Sequence, residues 1–235
     1  MSLFAKLKKI VSNDTKQSIF LNAMPKSASS FIPEIIQKHL QLQSLELSNQ
    51  GAINDHNLIA PKLIEFCKGG YIARQTIPAS NLNLLLLNYY KIKKMILHVR
   101  DPRQAMVSWM FYLQERGKRF ENNIHPDQEL TLMYYRYPKD LLDLPLSDQI
   151  NWHIKNYYVE NIKWVQKWID FKKNSLLDLD GQKINFELDI FYSSYEGFIS
   201  NKEKFIREIL EFYNLTDQKV DKNEIFRENS KIPNF

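Results

Sequence analysis

Two short stretches of the chain hold side chains suited to gripping an anion. The first is Pro25-Lys26-Ser27-Ala28-Ser29-Ser30-Phe31. It follows the apolar run 18–24 (SIFLNAM) and leads into residues 29–40, whose apolar positions have helical spacing. A loop between a strand and a helix lies at the strand's carboxyl end, where parallel sheets bind ligands. The helix start offers unpaired amide N–H groups and the positive end of the helix dipole. Lys26 adds a full charge, and Ser27, Ser29 and Ser30 add hydroxyl donors. The sum is a cradle for phosphate or sulfate. The plain alternative is a serine-capped helix start beside an exposed lysine.

The second stretch is the run 95–100 (MILHVR), followed by Asp101-Pro102-Arg103, with Ser108 eight positions after Arg100. An arginine at a strand's carboxyl end points to the same sheet edge as Lys26. Ser108 lies six residues past Pro102, a rise of ~9 Å along a helix at ~1.5 Å per residue. It shares a face with Gln104 and Tyr112, leaving Met106, Trp109, Met110 and Leu113 for the core. Such an Arg–Ser pair suits a second phosphate, the Arg as a charged fork and the Ser as a donor. The alternative is an ordinary Arg–Asp surface ion pair.

The elements that must position these groups alternate. Runs 18–24, 71–75 (YIARQ), 95–100 and 188–194 (LDIFYSS) read as short strands. Residues 29–40, 57–67, 81–90, 102–117, 148–172 and 202–213 read as helices, the fourth with Pro102 in its first turn and Gly117 at its end. Apolar strands separated by helices imply a parallel sheet covered on both faces. Residues 118–147 are polar and hold Pro126, Pro138 and Pro145, which suggests a long surface excursion of the kind that forms lids. Residues 3–11 have the spacing of a first amphipathic helix, packed on the body or touching a membrane. No repeat or composition shift divides the chain, so one domain over residues 1–235 is expected.

Composition narrows the classes. The chain has 235 residues, 44% of them hydrophobic, enough to bury a core. Thirty-two basic against 27 acidic residues leave +5, which suits an anionic ligand and permits but does not demand nucleic acid. The six glycines allow neither GxGxxG nor GxxxxGK[ST], which excludes a Rossmann fingerprint and a Walker A loop. An ATP-dependent kinase is therefore disfavoured. Cys67 is the lone cysteine and the five histidines lack HxxxH spacing, so no metal is expected. The absence of a signal-peptide pattern, with that single cysteine, leads to the expectation of a cytoplasmic setting.

In this order and spacing the two stretches resemble those of sulfotransferases that use 3′-phosphoadenosine 5′-phosphosulfate (PAPS). That family has a PKSGTTW-like loop and a VRxPxxxxxS element; here they read PKSASSF and VRDPRQAMVS. The stretch from Leu188 to Leu215 is similar to the family's strand, Tyr-Glu and following helix. The resemblance covers about residues 18–215. It implies a P-loop NTPase-like sulfotransferase fold and sulfo transfer from PAPS to a hydroxyl or amine of a small molecule, glycan or lipid.

The resemblance also implies roles. Lys26 matches the lysine that stabilises charge on the bridging oxygen as the sulfo group leaves. Pro25 and Ser27, Ala28, Ser29 and Ser30 match the loop that binds the 5′-phosphate. Phe31 stands where a tryptophan often packs on adenine. Arg100 and Ser108 match the pair on the 3′-phosphate, and Tyr195 a tyrosine near the adenine. Three departures stand out. Ala28 replaces a glycine and favours negative φ. Thr76 replaces the catalytic histidine and is a poor base near pH 7. The C-terminal RKGxxGxW is absent, with Arg227 and Lys231 as weak substitutes. His56 is the first candidate for the missing general base, followed by Asp55 and Glu65. His98 reads as a buried core histidine. A non-catalytic nucleotide or polyanion binder of the same fold is the alternative reading.

Overall fold

Short runs rich in Ile, Leu and Phe form the strands, and amphipathic runs between them form the helices. The computed structural model describes residues 16–49, 56–121, 140–174, 176–179 and 182–215. In chain order these are β1 (Ile19–Ala23), α1 (Phe31–Leu40), β2 (Gln43–Ser44), α2 (Ala60–Phe66), β3 (Tyr71–Gln75), α3 (Asn81–Tyr89), β4 (Lys94–Val99) and α4 (Pro102–Glu121). A 3₁₀ turn (Leu141–Asp143) leads into α5 (Leu146–His153), a π-helical turn (Ile154–Tyr158) and α6 (Val159–Asn174). Then come β5 (Leu176–Leu179), β6 (Gln182–Asn185), β7 (Asp189–Ser194), α7 (Tyr195–Ser200) and α8 (Lys202–Phe212). The expected α/β class, a central parallel sheet flanked by helices, is the one observed.

The main sheet has the order β2-β3-β1-β4-β7, and every neighbouring pair is parallel. Successive strand residues point to opposite faces, so each strand feeds two cores. Ile19, Leu21, Ile72 and Ile96 join the layer built from Ile32, Ile35 and Ile36 of α1 and Phe205, Ile206 and Ile209 of α8. Phe20, Ala73, Met95 and Leu97 join the other, with Leu84 and Leu87 of α3 and Trp164 and Trp168 of α6. Each such large side chain taken from water contributes roughly 1.5–3 kcal/mol. The helix after β1 therefore covers one face, while Ala105 of the helix after β4 packs into the core of the other. Adjacent strands whose helices diverge leave a crevice at their carboxyl ends, and the Lys26 and Arg100 stretches both open there.

Several expectations need correction at the edges. Helix α4 runs past Gly117 to Glu121, because one interior glycine costs only ~1 kcal/mol and a 20-residue helix tolerates it. Residues 148–172 lie within one helical run from Leu146 to Asn174, interrupted by the π-helical turn. The hairpin β5–β6 and the short helix α7 were not anticipated. The expected N-terminal helix and most of the surface excursion lie outside the described residues. No helix among the described residues is long and apolar enough to cross a membrane.

Asn22 locks the centre of the sheet to the segment after β3. Its carboxamide donates to the Ile77 carbonyl at 3.1 Å and accepts the Ile77 amide at 2.9 Å, fully buried. The Ile77 carbonyl also receives the indole N–H of Trp164 at 2.8 Å and of Trp168 at 3.0 Å. Asn22→Ala would leave that carbonyl satisfied but strip the buried Ile77 N–H of its acceptor and open a cavity. The expected loss is roughly 2–4 kcal/mol in a chemical-denaturation experiment. An unchanged midpoint would refute the locking role.

Candidate functional site

The loop from Met24 to Ser30 is built so that its carbonyls from Met24 to Ala28 are spoken for. The Met24 carbonyl accepts the Ser27 hydroxyl at 2.6 Å. The Pro25 carbonyl accepts the Tyr157 hydroxyl at 3.3 Å, delivered from the π-helical turn. The Lys26 carbonyl accepts Arg100 Nη1 at 2.9 Å, and the Ser27 carbonyl lies 2.7 Å from His98 Nε2. The Ala28 carbonyl accepts the amides of Phe31 and Ile32 at 3.0 and 3.1 Å, starting α1. By contrast, the amides of Ala28, Ser29 and Ser30 donate to no protein acceptor among the described residues. Three amide donors left over in one turn, at the head of a helix, make a concavity suited to an anion.

The backbone needed for this is strained. Lys26 and Ala28 both have φ of 63°, the left-handed region that costs a non-glycine residue about 1–2 kcal/mol. Ala28 thus takes the turn a glycine would take, not the negative φ its side chain prefers. The carbonyl contacts hold it there. Ser27 is fully buried and its hydroxyl points inward to Met24, so its part is confined to the main chain. Ser30 accepts Arg74 Nη1 at 2.9 Å, which brings a further cation to the head of α1. A cation beside a helix N-terminus is unfavourable unless an anion sits between them. Arg74 escaped the sequence reading because, in a strand pattern, it looks like any outward-facing residue.

Arg100 joins the second stretch to the first. Besides the Lys26 carbonyl, its guanidinium reaches Gln104 Oε1 at 3.5 Å and stacks 4.1 Å from the centroid of the Tyr195 ring. Asp101 does not consume it. That carboxylate accepts the Arg103 amide at 2.9 Å, Nε at 3.0 Å and Nη2 at 2.6 Å, capping α4. These bonds from Arg103 hold its pKa down to about 2. The expected alternative of an Arg100–Asp101 surface pair is thereby replaced by an Asp101–Arg103 pair. The Asp101 amide donates to Glu196 at 3.1 Å, fastening α7 and its Tyr195 beside Arg100.

One cavity of about 820 Å³ unites these groups. Lys26, Ala28, Ser29, Ser30 and Phe31 line it from the first stretch, Arg100 and Ser108 from the second, and Tyr195 from α7. Arg103, Gln104, Val107 and Phe111 complete the α4 side. Met106, Trp109, Met110 and Leu113 are buried behind it, as the helical spacing predicts, and Ala105 is buried with them. Pro25 and Ser27 of the same loop, expected among the binding residues, do not line the cavity. The Lys26 ammonium rests 4.3 Å above the Tyr112 ring; Trp109 stacks between Tyr112 and Tyr157, at 5.5 and 5.3 Å.

The base candidates are less well placed. His56 does not line this cavity; its carbonyl accepts the Asn83 carboxamide at 3.0 Å. Asp55 lies outside the described residues. Glu65 accepts the Tyr71 hydroxyl at 2.7 Å, which holds its carboxyl below the ordinary range. The Thr76 hydroxyl donates to the Ala23 carbonyl at 2.9 Å. Burial pushes the Cys67 thiol pKa up, the opposite of activation. Arg227 and Lys231 lie outside the described residues.

No protein-family model and no curated protein matches the sequence. Among solved structures, a mouse sulfotransferase, SULT7A1, complexed with PAP is similar over 97% of this chain and 68% of that one. The identity is 17% and the TM-score 0.49. A likeness at that level carries no argument about activity or ligand, so the functional reading rests on the chain's own side chains.

Proposed function

We propose that this protein is a sulfotransferase that moves a sulfo group from PAPS to a hydroxyl or amine acceptor. The observation that supports it above all is the contact between Arg100 and the Lys26 carbonyl. It supports the reading because the lysine loop and Arg100, two groups of different construction suited to anions, line one cavity. An adenosine carrying phosphates at both its 3′ and 5′ positions has the matching chemistry. The amide donors of Ala28, Ser29 and Ser30 suit the 5′ end, and Arg100 with Ser108 suits the 3′-phosphate. Phe31 and Tyr195 offer rings for the base.

In the reaction the acceptor oxygen or nitrogen bonds to sulfur while the bond from sulfur to the phosphate oxygen breaks. Negative charge gathers on that leaving oxygen, and adenosine 3′,5′-bisphosphate departs. Positioning and charge stabilisation supply most of such a rate enhancement. Lys26 is the group for the leaving oxygen. Its contact with Tyr112 is worth only ~0.5–2 kcal/mol, comparable to or less than a charge-assisted hydrogen bond to an anion, so the ring does not hold it back. The acceptor's proton passes to a base, with His56 the first candidate and Asp55 the next; Glu65, which accepts Tyr71 at the amino end of β3, is not placed to take it.

A second reading has one observation behind it. The Thr76 hydroxyl is engaged with Ala23 where the sulfotransferases that this sequence resembles carry a histidine, which favours a nucleotide binder without turnover. A thermal-shift comparison of adenosine 3′,5′-bisphosphate with AMP and ATP tests the shared nucleotide reading. The bisphosphate is expected to give the largest upward shift. Equal shifts, or none, would count against both readings.

A further inference from the structure

We infer that His98 is the positioning residue that keeps the lysine loop in its anion-binding conformation. The inference rests on reading that loop as the anion site. His98 is fully buried in β4, registered beside Ala23 of β1 and Ser193 of β7. Its Nε2 lies 2.7 Å from the Ser27 carbonyl and its Nδ1 2.9 Å from the Ser193 hydroxyl. A carbonyl can only accept, so the ring proton sits on Nε2 and Nδ1 takes the Ser193 proton. The Phe205 ring, edge-on with centroids 5.6 Å apart, fixes the imidazole plane.

The consequence lies in the Ser27–Ala28 peptide. A planar trans peptide points its carbonyl and its N–H in opposite directions. Drawing the Ser27 carbonyl inward to His98 therefore turns the Ala28 amide outward, on the residue that lines the cavity. Without that bond, Ala28 can relax from its φ of 63° to the conformation alanine prefers. The amide concavity would then be lost, although His98 touches no ligand. Burial holds the imidazole neutral, lowering its pKa to about 4, with Glu196 as the nearby charge opposing that shift. The bridge is therefore present in one form at neutral pH.

The test compares the full chain with His98→Leu, which fills space without a donor, and His98→Gln, whose carboxamide can serve both partners. Leu is expected to weaken binding of adenosine 3′,5′-bisphosphate roughly tenfold or more, the scale of one lost buried hydrogen bond, and Gln to restore most of it. Amide hydrogen exchange at Phe31 and Ile32, whose N–H groups donate to the Ala28 carbonyl, is expected without nucleotide to quicken in Leu and recover in Gln. Exchange unchanged in a folded Leu variant would overturn the inference. If Leu fails to fold, ¹⁵N spectra of the wild-type imidazole decide: a proton on Nδ1 instead of Nε2 overturns it. A wild-type chain that binds no bisphosphate, yet shows the exchange pattern, would refute the nucleotide reading and leave the loop role standing.

Discussion

Replacing Arg100 by alanine is expected to weaken binding of adenosine 3′,5′-bisphosphate by roughly two to three orders of magnitude, the cost of removing one partner from a buried charged pair. AMP, which lacks the 3′-phosphate, is expected to lose only severalfold. That smaller loss comes from the other task of the side chain, holding the Lys26 carbonyl at 2.9 Å. The same distinction makes Arg100→Lys informative. A lysine keeps the charge but has no fork to serve carbonyl and phosphate together, so it should recover little. Calorimetric titration with both nucleotides reads the difference. Equal losses for the two would mean that Arg100 supports the loop and no 3′-phosphate.

The second large effect belongs to Lys26. Its alanine variant is expected to lower turnover with PAPS by ~10²–10³, the usual cost of removing a group that meets charge developing in the transition state. Binding of the product nucleotide should change much less. The backbone should hold, because alanine tolerates a φ of 63° as poorly or as well as lysine does, and the carbonyl contacts remain. Labelled PAPS incubated with a broad extract of hydroxyl and amine acceptors gives the rate. Labelled product made equally by the variant would remove Lys26 from the chemistry. No product from either chain would favour the binder without turnover.

Much of the scaffold is legible in the residues because its signals are local. Strands β1, β3, β4 and β7 are apolar runs a few residues long, and α8 has strong helical periodicity. The two candidate stretches are also local, since each sits where a strand hands over to a helix. Less legible is what depends on packing between distant segments. Asn22 is one polar residue in an apolar strand, and nothing nearby announces that it clamps Ile77, 55 positions on. Tyr157 reaches Pro25 across 132 positions. His98 reads correctly as buried, but its bond to Ser27 follows from the register of β4 beside β1. Ser27 looks like a phosphate-facing hydroxyl until the turn at Lys26 points it inward. Helix α7 was too short for periodicity to show. The β5–β6 hairpin carries Asp180-Gly181 between its strands, a turn signal that could have revealed it.

A structure of the chain with adenosine 3′,5′-bisphosphate bound would test the central claim most directly. The account predicts the 5′-phosphate on the amides of residues 28–30 beside Lys26, and the 3′-phosphate between Arg100 and Ser108. A nucleotide seated elsewhere, or with only one phosphate in the cavity and Arg100 still turned to Lys26 alone, would contradict it.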